Sequence, residues 1–459
     1  MFFYHVDGVT CACARELPLP RAQEPAAGAP LVWLYERSPE QSRASFAPCD
    51  LRQLSAPVED VRFLDCSRLE SPAPEHPALT AALETQTLRS VNYSHPRWRE
   101  LLRPEVRRGK KRVNLLAIGD VGSTLLTALV LTGSDAISQI GICDLSEKVT
   151  ARWEIEMGQV ALPWNYDAFP PVRAVGQEEL FDCDVFVFIA SKGIPPVGSG
   201  VRDVRMAQFE ANAAIAGFYA RKARAAGFRG LYASVSDPVD PLAKTVFLES
   251  NRDENGIFDG KGLFPEQVQG FGLGVMNARA AYFAKRDPRF AAFLTEGRSF
   301  GPHGEDLVVA NSVERYDDAL SRELTRRTVE ANLEMRALGF KPYVAPALSS
   351  GALSLLLTLR GEWHCGSVFL GGVYMGCKNR YTPAGVQTES LALPEPLFGR
   401  IRSAADHLAV GDVEMAVAIW ERLTDCDEED RLEAVVMLAF CYPVLEEWDC
   451  FDDAMFDVP

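Results

Sequence analysis

The sequence predicts an α/β protein: a doubly wound parallel sheet, then an α+β region, with a small α/β module in front and a helical hairpin behind. Three observations carry this expectation. Short apolar runs at 113–119, 140–144, 185–190 and 228–236 have the length of buried parallel strands. Helical stretches at 122–132 and 205–226 alternate with them, the rhythm of right-handed β-α-β crossovers. A glycine-containing turn, Ala117-Ile-Gly-Asp-Val-Gly-Ser123, stands where the first of these strands gives way to the first helix.

In chain order, residues 1–88 read as a small module with β-rich runs at 1–6, 31–36 and 61–66, joined by Pro/Ala/Ser-rich connections. Cys11 and Cys13 fall on one face of a further strand. Residues 113–255 form the doubly wound unit, in which Gly227 closes the second helix at a position that favours a left-handed backbone. Residues 256–400 mix helices near 276–285 and 317–338 with Gly-rich strands around 366–376. Beyond residue 400, Val413, Ala416, Val417, Trp420 and Leu423 repeat at helical spacing, as do Leu432, Val435 and Val436 before Pro443. Residues 401–459 are therefore expected to fold as a helical hairpin.

Composition narrows the function classes. The 459 residues are 47% apolar and 24% charged, with no apolar run long enough to span a membrane. The N-terminus has no basic stretch ahead of its apolar residues, so a cytoplasmic chain is expected. Of the net charge of −16, residues 411–459 carry −13 (15 acidic against two Arg), an acidic solvated face. The basic run Arg107, Arg108, Lys110, Lys111 and Arg112 is too short to mark a nucleic-acid surface and reads as a solvated linker. Eleven cysteines include no C-x-x-C pair, so free thiols are expected and no metal is assigned, His364–Cys365 included.

The turn at 117–123 belongs to dinucleotide chemistry. Gly119 lets the backbone approach a pyrophosphate, Gly122 lets helix and strand pack closely, and the helix N-terminus offers free N–H groups to an anion. Asp144, 22 residues after Gly122, ends the next strand, where a carboxylate accepts from ribose hydroxyls and repels a 2′-phosphate. This points to NAD, with Gly119, Val121, Gly122, Asp144 and Ser191 as its expected contacts. Ala117 stands at the first glycine position of the fingerprint.

With these motifs placed, residues 113–400 resemble the lactate/malate dehydrogenase family. The carriers are the turn at 117–123, Asp144, Ser-Asp-Pro-Val-Asp at 236–240, the run from Gly270 to Arg279, and Gly-Pro-His-Gly-Glu-Asp at 301–306, all in the family's order. The resemblance implies a Rossmann domain followed by a substrate domain, and hydride transfer between NAD(H) and a small 2-oxo or 2-hydroxy carboxylate. It implies His303 as the proton-transfer group, a role suited to a side chain that titrates near neutrality. Arg279 is the implied carboxylate-binding residue, since a planar guanidinium grips a carboxylate bidentately. Arg205, closing the Gly/Pro-rich loop from Gly193, is implied to polarise the carbonyl, with Arg202 as its rival, and Asn212 also fits the pattern. A homo-oligomer is expected by the same resemblance.

Three departures bear on chemistry. Met276 stands where the family has the aspartate that holds the imidazole, Asp237 replaces an asparagine beside the carbonyl, and the discriminating loop position falls on the uncharged Pro196 or Val197. Either Asp237 supplies the carboxylate that Met276 cannot, or it favours a cationic iminium over an oxo acid. The leading expectation is an NAD-dependent 2-hydroxyacid dehydrogenase. The alternatives are an imine-reducing, opine-type dehydrogenase and a catalytically silent NAD-binding sensor or assembly protein.

Overall fold

The computed structural model describes residues 1–103, 109–192, 204–304, 306–338 and 345–423. The first five strands, β1 (Phe2–Val6), β2 (Val9–Cys13), β3 (Leu31–Tyr35), β4 (Ser45–Phe46) and β5 (Leu88–Asn92), form one sheet in the order β1-β2-β3-β5-β4. Two helices, α1 (Arg52–Ser55) and α2 (Pro77–Glu84), lie between β4 and β5. The expected strand at 61–66 is instead a pair of 3₁₀ turns, Val61–Leu64 and Cys66–Arg68. The cause is local: Asp60 accepts the Arg62 N–H at 2.8 Å and Asp65 the Ser67 N–H at 3.2 Å, each carboxylate starting a turn where the apolar pattern alone suggested extension.

The central sheet has nine strands. β6 (Lys111–Leu116), β7 (Ile137–Cys143), β8 (Val172–Ala174), β9 (Val185–Phe188), β10 (Leu231–Ser234) and β11 (Val268–Gly270) run parallel in the order β8-β7-β6-β9-β10-β11. That is the 3-2-1-4-5-6 order of a Rossmann sheet, with its switch point between β6 and β9. The strands read as continuous apolar runs because both faces are covered. In β9, Val185 and Val187 pack with Leu125, Leu129 and Leu356 on one side, while Phe186 and Phe188 pack with Tyr219, Val246 and Phe247 on the other. The covering helices are α3 (Asp120–Thr132) and α10 (Ala345–Arg360) on the first face, and α5 (Val204–Ala225) and α6 (Val239–Ser250) on the second. Gly227 has φ +60, the left-handed backbone expected where α5 ends. α4 (Glu147–Gly158) links β7 to β8.

Past β11 the sheet turns antiparallel. It continues through β14 (His364–Leu370), β15 (Val373–Thr382) and β16 (Gly385–Thr388), and the tight turn at Gly371-Gly372 has both φ positive. A two-stranded ribbon, β12 (Arg298–Phe300) and β13 (Val308–Ala310), lies with α7 (Leu273–Ala284), α8 (Phe293–Glu296) and α9 (Asp318–Ala337) in the α+β part.

The first ninety residues share a core with this part: Trp33, Phe46, Phe63 and Leu79 belong to the same cluster as Phe300, Val368, Met375, Phe398 and Ile401. The buried Glu266 carboxylate accepts from the Ala44 N–H at 3.1 Å and the Ser45 hydroxyl at 2.6 Å, tying the two sheets together. After Pro394, α11 (Glu395–Leu423) is one continuous helix whose Leu397, Phe398 and Ile401 enter that core. The expected first arm at 413–423 is the end of this longer helix, and the second arm lies outside the described residues. Among the described residues no helix is long and apolar enough to cross a membrane. The cysteines at 11, 13, 49, 66, 143, 183, 365 and 377 are free thiols, and burial pushes Cys11 up to about 12.

Candidate functional site

The carboxyl ends of β6, β7, β9, β10 and β11 gather the sequence-singled residues along one edge of the sheet. At the end of β6, Gly119 is the N-cap of α3, and no side chain caps the helix. A Cβ at Gly119 would meet no atom within 4 Å, so the backbone there is open to a ligand. Gly122 is closed: a Cβ would lie 2.1 Å from the Ala117 carbonyl oxygen, which explains why only glycine fits the second position. Val121 packs on the core of the sheet's first face. Ala117 itself holds φ +74, a left-handed backbone that costs an L residue about 1–2 kcal/mol. Ala117→Gly is therefore expected to raise stability by roughly 0.5–1 kcal/mol, after subtracting glycine's greater unfolded-state entropy. A urea titration showing lower stability would contradict that account of the turn.

Asp144 follows β7 and is braced by two backbone donors, Ile118 N–H to Oδ2 at 2.9 Å and Ser146 N–H to Oδ1 at 3.1 Å. The first of these ties the carboxylate to the glycine turn itself. Leu145 beside it is 96% exposed.

Across the switch point, Asn212 on α5 is fully buried and spends its amide on three neighbours. Its Nδ2 donates to the Asp237 carbonyl at 2.7 Å and to Ser191 Oγ at 3.2 Å, and its Oδ1 accepts the Lys192 N–H at 2.9 Å. It thus braces the end of β9 against the end of β10, with Ser191 exposed on that brace. Ser236 adds a second tie, donating to the Ala190 carbonyl at 2.7 Å. Arg205 lies in the first turn of α5, with its side chain outside the described residues; Arg202, Pro196, Val197 and the remainder of the loop 193–203 also lie outside them.

His303 stands over the ends of β10 and β11. Its Nδ1 is 3.0 Å from the Gly272 carbonyl oxygen, and since a carbonyl only accepts, the proton sits on Nδ1. Nε2 therefore carries the lone pair in the neutral ring, and it points to Asp237, whose Oδ1 is 3.8 Å away. The loop is held from behind by Asp240, a buried carboxyl that accepts the His303 backbone N–H at 2.9 Å and that burial pushes up from the usual carboxylate range.

The imidazole rests directly on backbone: a Cβ on Gly272 would come within 2.7 Å of His303 Cγ. Gly272→Ala must displace the ring; if His303 moves a proton in a reaction, its rate is expected to fall on the order of 10²-fold, the scale of a 1 Å misplacement. A variant with wild-type kcat would show that the ring position is immaterial.

Arg279 lies one helical turn along α7 from Met276. Its Nη1 donates to Met276 Sδ at 3.5 Å, and among the described residues no carboxylate lies within ion-pair distance. Burial pulls it down from its ordinary value, while the Asp237 charge acts in the opposite sense. Asp237, half-exposed, lies 3.8 Å from the imidazole, and its charge also acts on the Arg279 guanidinium. The sequence left open whether Asp237 substitutes for a carboxylate at 276. The geometry puts a backbone carbonyl on Nδ1 and Asp237 on the opposite nitrogen.

Over about two thirds of its length the chain shares the fold of known dehydrogenases. The chain is similar to a lactate dehydrogenase, MGS-M5, from a Medee basin deep-sea metagenome library, at TM-score 0.54 and 18% identity, covering 67% of this chain and 100% of that one. It is also similar to the minor L-lactate dehydrogenase of Enterococcus mundtii (TM-score 0.53, 18% identity, 66% of this chain and 98% of that). A third likeness is to the malate dehydrogenase of Picrophilus torridus (TM-score 0.54, 15% identity, 68% and 99%). No protein-family model and no curated protein sequence matches the chain.

Proposed function

We propose that the protein is an NAD-dependent oxidoreductase acting on a small 2-oxo or 2-hydroxy carboxylate. The observation that carries this reading is the approach of His303 Nε2 to the half-exposed Asp237 carboxylate at the carboxyl edge of a Rossmann sheet, where the Asp237 charge also acts on Arg279. The likeness to lactate and malate dehydrogenases supports the fold on which such a site is built.

The residues at the β6–α3 turn fit a dinucleotide. The uncapped α3 N-terminus and the open Gly119 backbone suit a pyrophosphate, and Asp144 suits the adenosine ribose. When bound, NAD(H) supplies or accepts the hydride. Arg279 binds the substrate carboxylate, which fixes the reacting carbon over the cleft. In the reducing direction, His303 as imidazolium gives the Nε2 proton to the carbonyl oxygen; in the oxidising direction the neutral ring takes the hydroxyl proton at the same atom. The Gly272 carbonyl on Nδ1 fixes the ring so that Nε2 faces the cleft, and Asp237 stands beside that nitrogen.

A second reading rests on Asp237. A carboxylate beside the reacting centre also pairs with the nitrogen of an iminium, so imine reduction is the rival chemistry. Rapid-mixing oxidation of NADH against a panel of 2-oxo acids, each with and without ammonia or amino acids, separates the outcomes. Amine-independent turnover supports the proposal, and turnover only with amine selects the imine route. NADH binding with no turnover on any substrate overturns both in favour of a sensor. Membership of a homo-oligomer, carried by the resemblance, and a cytoplasmic location, expected from the N-terminal sequence, belong to the same proposal.

A further inference from the structure

A cavity of about 820 Å³ lies at the opposite edge of the sheet from the site above. Its floor is the amino-terminal ends of the parallel strands, where Val185 opens β9 and Leu231 opens β10. Leu359 near the end of α10, Phe264 and Tyr381 of β15 give it apolar walls, and the N-terminal layer closes it through Arg89 and Arg103. The volume is that of a small-molecule site.

The charges on the wall are unequal in how they are answered. Arg229 pairs with Glu100 at 2.8 Å and Arg360 with Asp135 at 2.6 Å, so both are neutralised locally. Glu266 is occupied by the Ala44 N–H and the Ser45 hydroxyl of the N-terminal layer. Arg89 differs. Only 7% exposed, it donates to two neutral carbonyls, Leu101 O at 3.0 Å and Pro383 O, and no carboxylate of the described residues is within ion-pair distance. Burial pulls it down to about 10, so it remains a cation at neutral pH. Arg103 at the rim is exposed and likewise has no ion pair among the described residues.

A buried guanidinium with no carboxylate at ion-pair distance is costly even with the Glu266 charge acting on it from farther off, and an arriving anion recovers part of that cost. We propose that this cavity binds a small amphipathic organic anion, its apolar body over Leu231 and Leu359 and its carboxylate, sulfonate or phosphate against Arg89 and Arg103. The proposal is independent of the dehydrogenase reading, because the cavity lies at the other end of the strands.

The probe is 8-anilinonaphthalene-1-sulfonate, titrated into the full chain and followed by fluorescence. One saturable site is expected, retained at saturating NADH and weakened at least tenfold by Arg103→Glu and by the cavity-filling Leu359→Trp. Arg89→Gln is expected to act in the same direction. Arg103 is exposed, so its variant keeps the test decisive should Arg89→Gln fail to fold. Absence of a saturable site, displacement of the probe by NADH, or affinity unchanged in both Arg103→Glu and Leu359→Trp overturns the proposal. So does loss of the signal in Trp164→Ser, which removes a 91% exposed indole elsewhere on the surface.

Discussion

His303→Gln is expected to lower turnover by about 10²- to 10⁴-fold, the contribution of a positioned general acid–base group, with NADH affinity unchanged. Glutamine approximates the reach of the imidazole but neither gives nor takes a proton near neutral pH. The effect is expected in kcat and kcat/KM together, since the proton moves only in the transition state. Steady-state kinetics on whichever 2-oxo acid is turned over, with a fluorescence titration of NADH alongside, makes the measurement. Asp237→Asn separates the two roles open to the carboxylate. If Asp237 serves the imidazole, the variant loses turnover on oxo acids and imines alike. If Asp237 pairs with a substrate nitrogen, the variant loses turnover on imines and keeps it on oxo acids. Near-wild-type turnover in His303→Gln would remove the proton-transfer assignment.

The parallel sheet was legible because its physics is local. Strands covered on both faces must be apolar throughout, and the runs at 113, 140, 185 and 228 are interrupted by a glycine turn and by helices of matching length. The α+β part was less so. α10 covers the same face of the sheet as α3, yet it comes some two hundred residues later in the chain, and nothing in its own pattern says which face it will cover. The N-terminal region read as an appendage because its partners, Val368, Met375 and Phe398, are just as distant in sequence. At the site, sequence motifs singled out His303, Asp237 and Arg279 as candidates but could not give the ring's other partner. Gly272 counted only as a motif glycine, whereas its carbonyl holds Nδ1 and its missing side chain makes room for the imidazole. Asp240, beneath the loop, was visible only as the last letter of a motif, since burial is what turns it into a brace.

The largest stability effect is expected at Glu59, in the N-terminal layer. Its side chain is fully buried between two arginines: Arg43 Nε donates to Oε1 at 3.0 Å, and Arg37 Nη1 is 3.7 Å from Oε2. Both guanidiniums are almost completely buried as well, and desolvation already pulls Arg37 below its ordinary value. Aromatic faces assist, with Arg37 4.5 Å from the centre of the Tyr35 ring and Arg43 4.6 Å from that of Phe46, but rings supply no counter-charge. Glu59→Ala leaves two cations in a dry core with no other anion of the described residues at ion-pair distance, and removing one partner of a buried pair costs roughly 3–5 kcal/mol. Glu59→Gln keeps the shape, and most of the same loss is expected because the missing quantity is charge. Since this layer shares its core with β14, β15 and α11, the loss is expected to appear as one cooperative transition rather than early melting of the first ninety residues. Urea unfolding followed by both far-ultraviolet dichroism and NADH binding tests this. Two separated transitions, or a loss under about 1 kcal/mol, would mean that the layer stands apart from the rest of the fold or that its arginines find other partners.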